Sequence, residues 1–151
     1  MTTSTPRIRQ AGPADLDALL PLVAEFHAHE RIVLSADDRR AALARLLGDA
    51  VLGAVLVAEG PGGIVGYALL CLGYSVEFGG RDAFVDEAFV LPSSRGAGLG
   101  QALLAEAEAE ARRRGVRAIH LEADHANPRA AELYRRLGFR DHPRHLMTRR
   151  L

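Results

Sequence analysis

Lysine is missing from all 151 residues, so each of the 19 basic side chains is an arginine. That excludes a Walker phosphate loop, whose Gly-Lys-Ser/Thr ending sets an ammonium against the phosphates. Cysteine occurs once, at Cys71 inside an apolar run; this excludes an internal disulfide, fits a reducing compartment and reads as a buried structural thiol. Net charge is lacking too, because 19 acidic side chains cancel the arginines. The arginines are scattered and do not form the stripe that a phosphate backbone demands, so no nucleic acid partner is expected. No stretch approaches the roughly 18 apolar residues of a membrane span, and residues 1–6 are small and polar with no apolar segment behind them. A cytoplasmic protein without a membrane partner is expected. Six histidines are present, but His27 and His29 stand two apart on a predicted helix and His120, His125, His142 and His145 lack a ligand spacing. No metal is expected.

The residues that are present are ordinary for a folded domain, 48% hydrophobic and 25% charged, and a chain of this length buries roughly two-thirds of its unfolded surface. A single domain over residues 1–151 is expected. Arg7 to Gln10 reads as a first strand. Gly12, Pro13 and Asp15 then mark a helix start, and Leu16, Leu19, Leu20, Val23 and Phe26 make one apolar face running to His29, with a kink or early break expected at Pro21. Ser35 and Asp38 look like a cap for a second helix that carries Leu43, Leu46 and Leu47 and stops at Gly48. Val51 to Glu59 reads as a strand, Gly60-Pro61-Gly62-Gly63 as a turn and Ile64 to Leu72 as its hairpin partner. Gly79 to Asp82 is the next expected turn, and Ala83 to Leu91 the next strand, ending at Pro92. Gly98 to Arg114 is a strong helix, with Leu99, Leu103, Leu104, Ala107 and Ala111 inward and the pairs Glu108–Arg112 and Glu110–Arg114 read as surface solvation. Ala118 to Ala123 reads as a buried strand parallel to Ala83–Leu91. Asn127 and Pro128 open a last helix closed by Gly138, and a final hairpin is expected around His142 and Pro143.

Three glycines, Gly96, Gly98 and Gly100, fall where a strand passes into a helix. Missing side chains let successive amide N–H groups approach an anion, and the helix N-terminus adds the positive end of its dipole. Such a nest suits a pyrophosphate. Its spacing is not the G-x-G-x-x-G of a dinucleotide fold, and it lies deep in the chain after an antiparallel meander.

Arg95-Gly96-Ala97-Gly98-Leu99-Gly100 resembles the Q/R-x-x-G-x-G/A signature of the GNAT acyltransferase superfamily. Asn127 through Ala131, Leu133-Tyr134 and Gly138-Phe139 are similar to that family's second signature, an Asn opening a helix with a Tyr near its end. The resemblance covers nearly the whole chain and implies an α/β (α+β) GNAT fold: a mixed antiparallel and parallel sheet with splayed strands, flanked by about four helices. It implies acetyl-CoA as cosubstrate, with Phe89, Val90 and Leu91 along the pantetheine arm and Arg95, Gly96, Ala97, Gly98, Leu99, Gly100 and Gln101 around the pyrophosphate, mostly through backbone groups. Asn127 and Tyr134 would face the coenzyme.

An alkylamine is almost wholly protonated at neutral pH and must lose a proton before it attacks a thioester. Asp86 and Glu87 lie side by side on the strand expected to border the coenzyme, and strand alternation sends one toward the substrate face and the other away. Glu87 is favoured as base, directly or through water, with Asp86 as the alternative. By the resemblance Tyr134 protonates the departing thiolate. His27, His29 or Glu30 would line the acceptor pocket. The stretch from Glu25 to Leu34, with Asp86-Glu87 before Phe89-Val90, resembles diamine and thialysine acetyltransferases of the same superfamily; a peptide N-terminus or a small amino acid fits as well. The acceptor expected is therefore a primary amine of a small molecule or peptide, and small enzymes of this type commonly form homodimers. The competing reading is a catalytically inert acyl-CoA-binding module for sensing or interaction, which would keep the glycine loop without turning over.

Overall fold

The computed structural model describes residues 6–151. They fall into two compact units that divide after Leu121. In the first, the elements run β1 (Arg7–Gln10), a 3-10 turn (Pro13–Asp15), α1 (Leu16–His29), α2 (Ala36–Gly48), β2 (Gly53–Gly60), β3 (Gly63–Ser75), β4 (Gly80–Val90), a second 3-10 turn (Pro92–Ser94), α3 (Leu99–Arg113) and β5 (Ala118–His120). The second unit holds α4 (Pro128–Arg136). The strands form one sheet in the order β1-β2-β3-β4-β5. Every pairing is antiparallel except β4–β5, which is parallel and short. A mixed sheet and four helices are thus the architecture that the sequence implied.

Period-two alternation sorts the central strands onto two cores. Val55, Val57, Tyr67 and Leu69 join Leu19, Leu22 and Val23 of α1 and Leu43 of α2. Their neighbours Ala54, Leu56, Ala58 and Ala68 pack with Leu99 and Leu103 of α3 on the opposite face. Leu19, Leu103 and Tyr67 are fully buried.

Local signals acted as expected at the helix starts. Ser35 Oγ accepts from the Asp38 amide at 3.0 Å, and the Asp15 carboxylate accepts from the Gly12 amide at 2.9 Å. Asp15 also takes a two-pronged contact from Arg9, at 2.8 and 3.0 Å, while Arg9 Nε donates to Glu59 at 2.7 Å. The hydrogen-bonded Arg9 guanidinium holds the Asp15 carboxyl below its ordinary range. A depressed carboxyl stabilises the fold fully above its unfolded pKa of ~3.9, and that contribution drains away as the pH falls from there through the lower folded value. Asp15→Asn is accordingly expected to cost about 1–2 kcal/mol at pH 7 and much less at pH 3. Urea unfolding at the two pH values measures the difference; equal losses would refute the charge-based origin.

Five expectations are corrected. Helix α1 runs through Pro21 without a break to His29, because the one backbone hydrogen bond that a proline in its second turn removes is outweighed by tertiary packing of Leu19, Leu22 and Val23. Residues 80–82 belong to β4, and the β3–β4 hairpin is three residues longer on each strand at its turn end than the hydrophobic pattern suggested, while β4 stops at Val90. Strand β5 stops at His120, short of Ala123. Glu110 is buried and binds both Arg113 and Arg114, at 2.7 Å each, and Arg114 reaches on to the carbonyls of Ala50 and Gly53. That pair ties the end of α3 to the start of β2 and is not surface solvation. Finally, residues 139–151 carry no strand, so the expected last hairpin is absent.

Candidate functional site

Strand β4 is the organising element. One edge pairs with β3 along its whole length. The other pairs with β5 only at Asp82, Ala83 and Phe84, so from Val85 to Val90 that edge has no strand partner among the described residues. This divergence is the splay that the sequence implied, and it leaves backbone donors and acceptors available to an extended ligand.

A register shift lies opposite Leu69 and Leu70, whose partners are Glu87 and Val85. Asp86 is therefore the extra residue of a β-bulge, without a cross-strand partner. Bulges re-aim side chains, and this one inverts the parity of β4: Val85 is buried before it, and Glu87, two residues on, faces the α1 side with Tyr67. Asp86 is solvent-exposed. The two acids thus have different surroundings, although plain alternation would have set Val85 and Glu87 on one face.

Glu87 is the centre of a buried polar cluster. Its Oε2 lies 2.8 Å from His27 Nε2, and its Oε1 accepts from the Tyr67 hydroxyl at 2.8 Å. Arg39 Nε donates to His27 Nδ1 at 3.1 Å, and another of its nitrogens donates to the Leu34 carbonyl at 3.2 Å. His27 is 5% exposed and Tyr67 is wholly buried. Burial, reinforced by the Glu87 charge, pushes the Tyr67 phenol far above its ordinary range, so it stays a donor. Phe89 meets Phe26 edge-on and Tyr67 at a tilt beside the cluster, with ring centroids 6.0 and 6.2 Å apart.

Beyond β4 the chain enters the glycine loop. Gly96 and Gly98 have φ of 86° and 76°, left-handed values that side chains disfavour by roughly 1–2 kcal/mol. Gly98 is the N-cap of α3. Gly100 has no such φ, and a Cβ built there would meet nothing within 4 Å. Neither backbone conformation nor packing among the described residues requires glycine there. The first amides of a helix have no intrahelical partners, and they face this space with the positive end of the dipole. Arg95 Nε donates to the Val90 carbonyl at 2.9 Å, and its guanidinium sits over the Phe89 ring at 5.5 Å.

The remaining sequence-predicted residues are placed as follows. Phe89 and Leu91 pack on the α1 side and Val90 on the α3 side, so their backbone, not their side chains, is what the open edge presents. Leu99 is buried and anchors the start of α3, while Ala97 and Gln101 are exposed. His29 is exposed and Glu30 follows at the α1 terminus. In the second unit, Asn127 caps α4 by accepting from the Ala130 amide at 3.2 Å. Tyr134 lies edge-on to Phe139, centroids 6.2 Å apart, and burial pushes its phenol above the ordinary value. Cys71 is half-buried, and burial raises its thiol to about 11, which makes it a poor nucleophile. Among the described residues no group of three or more metal-ligating side chains gathers.

Tyr67 and Arg39 were not singled out from the sequence. One signal existed: Tyr67 is the hydroxyl-bearing residue on the core face of an aliphatic strand, and a buried hydroxyl needs a partner.

Comparison with known proteins adds a family. The model of the Acetyltransferase (GNAT) family matches residues 16–139. The aminoglycoside N(6')-acetyltransferase type 1 of Stenotrophomonas maltophilia is 32% identical over 146 residues, covering 93% of this chain and 90% of that protein. The thialysine N-epsilon-acetyltransferase of Bos taurus is 30% identical over 143 residues, covering 89% and 84%. Among solved structures, an aminoglycoside N-acetyltransferase in complex with CoA superposes with a TM-score of 0.85 at 21% identity, over 99% of this chain and 98% of that one.

Proposed function

This chain belongs to the GNAT acetyltransferase family, and from that premise we propose that it transfers the acetyl group of acetyl-CoA to a primary amine by direct attack in a ternary complex. The observation that carries the reading is on one strand: β4 holds Glu87 in a pocket of donors and then runs through an unpaired edge into the glycine nest. One catalytic domain over residues 1–151 goes with it, since the family match runs from α1 past α4.

The coenzyme fits the residues present. Gly96 and Gly98 hold the left-handed turn, and Gly100 leaves open space beside the α3 amides. Residues 95–101 would hold the pyrophosphate, and the backbone at Phe89, Val90 and Leu91, which β5 does not cover, the pantetheine arm. When bound, acetyl-CoA supplies the thioester acetyl group. Glu87 takes the proton from the acceptor ammonium, directly or through water, since a carboxylate fixed by two donors keeps further lone pairs for a third partner. Asp86, exposed at the bulge, is suited to attracting a cationic acceptor. Tyr134 gives its proton to the departing thiolate, and its raised pKa keeps that proton in place at neutral pH until then. The relatives' printed names cover thialysine and an aminoglycoside, which supports a small polyamine-like acceptor over a peptide.

Gly100→Ala tests the coenzyme site. The substitution is expected to leave the urea midpoint nearly unchanged while raising the Kd of CoA about tenfold or more, read by calorimetric titration; unchanged affinity would remove the loop as the anion site. The function itself is tested by mixing the protein with acetyl-CoA and a panel of polyamines, aminoglycosides, amino acids and peptides, and following thiol release. Multiple turnovers with one amine class support the reading. CoA binding with no turnover across the panel would replace it with the inert sensing module.

A further inference from the structure

The chemistry above leaves His27 and Arg39 without a part, although both belong to the Glu87 cluster. An arginine guanidinium only donates hydrogen bonds. Because Arg39 Nε points at His27 Nδ1 at 3.1 Å, Nδ1 is an acceptor and carries no hydrogen. The ring's hydrogen is therefore on Nε2, 2.8 Å from Glu87 Oε2. The partner of one imidazole nitrogen sets the state of the other. Arg39 is itself anchored, half-buried on α2 and bonded to the Leu34 carbonyl.

We propose that Arg39 is a tautomer lock: it keeps His27 neutral with its proton on Nε2, so that His27 is a fixed donor to Glu87 and never a competing base. The proposal rests on Glu87 being the base. A proton taken from the acceptor ammonium then stays on the Glu87 carboxyl until water removes it, since Nε2 already carries hydrogen and Nδ1 is engaged. The charged and titratable groups around the His27–Glu87 pair are Arg39 from α2, Tyr67 from β3 and, close enough for their charges to be felt at Tyr67 or to feel Glu87, Asp86 of β4 and Cys71 of β3, with the Phe26 ring 6.1 Å from the imidazole. Without Arg39, Nδ1 is free to take a proton, and an imidazolium bonded to Glu87 lowers its basicity. His27 and Arg39 are positioning residues on this account, and neither touches substrate.

The first measurement needs no turnover: long-range proton–nitrogen correlation spectra of the histidine rings in the full ¹⁵N-labelled chain at neutral pH. His27, assigned by the resonance missing in His27→Gln, is expected as a single neutral ring protonated on Nε2, and Arg39→Met is expected to turn it into an averaged or doubly protonated ring. A wild-type ring protonated on Nδ1, or on both nitrogens, overturns the proposal, as does an Arg39→Met spectrum identical to wild type. Kinetics supply the second arm. His27→Gln, whose amide reproduces an Nε2 donor, is expected to keep most of kcat; His27→Leu is expected to lose about 10- to 100-fold in kcat with the KM for acetyl-CoA unchanged. Equal kcat for the two variants refutes His27 as the donor. If Glu87→Gln keeps full activity while the spectra show the locked ring, the base assignment has failed and the lock has not.

Discussion

Glu87→Gln is expected to lower kcat by roughly 10²- to 10⁴-fold, the usual contribution of a general base. The substitution is close to isosteric. A glutamine oxygen can still accept from His27 Nε2, while its amide donates to the Tyr67 oxygen in place of the hydroxyl's bond to the carboxylate, so the side chain keeps its two neighbours and loses its proton acceptor. The variant's rate should then rise with pH as the acceptor amine deprotonates unaided toward its own pKa of ~10.4. Coenzyme affinity should not move, because the residues proposed to hold the pyrophosphate lie on the loop beyond β4. Asp86→Asn is the paired control. Its side chain is exposed at the bulge, so its loss should raise the KM of a cationic acceptor more than it lowers kcat. The reverse result, a collapse of kcat in Asp86→Asn with Glu87→Gln near wild type, would move the base to Asp86.

Tyr134→Phe is the second large effect. Removing one hydroxyl leaves the edge-on contact with Phe139 and the cap of α4 at Asn127, so the unit that carries it should fold as before. Turnover is expected to fall by roughly 10²-fold or more while CoA binds as in the wild type, because proton delivery to the leaving thiol is needed only as the bond breaks. The split between kcat and coenzyme Kd is the readout. Loss of both together would make Tyr134 a binding residue, and loss of neither would leave it a packing residue of α4. A raised phenol pKa also predicts no fall in rate near pH 9 from Tyr134 ionising, whereas an ordinary phenol would begin to lose its proton there.

Much of this molecule was legible before any coordinates. Apolar spacing located α1, α2 and α3 within a few residues, and two apolar runs around a glycine-proline turn located β2 and β3. Both properties are local: they depend on the order of side chains within an element and its turn. The caps at Ser35 and Asn127 were readable for the same reason. What failed was the ends and the edges. Strand β5 is three residues long because a splayed parallel strand stops pairing when its neighbour diverges, and no residue in Ala118 to Ala123 announces that divergence. Continuity through Pro21 depends on the core against which α1 packs, and the burial of Glu110 on where α3 lies over β2.

By itself the sequence determined the order of elements, the two core faces, the glycine turn whose left-handed φ only glycine adopts readily, and the presence of an acid pair on β4. Tertiary structure decided which acid does what. One extra residue in β4 opposite β3 inverts side-chain parity at Asp86, and it is this bulge, a property of two strands in register, that turns Glu87 toward Tyr67 and His27. The cluster joins residues up to 60 positions apart. Hydrogen bonds between such distant groups follow from packing, and no local pattern encodes them.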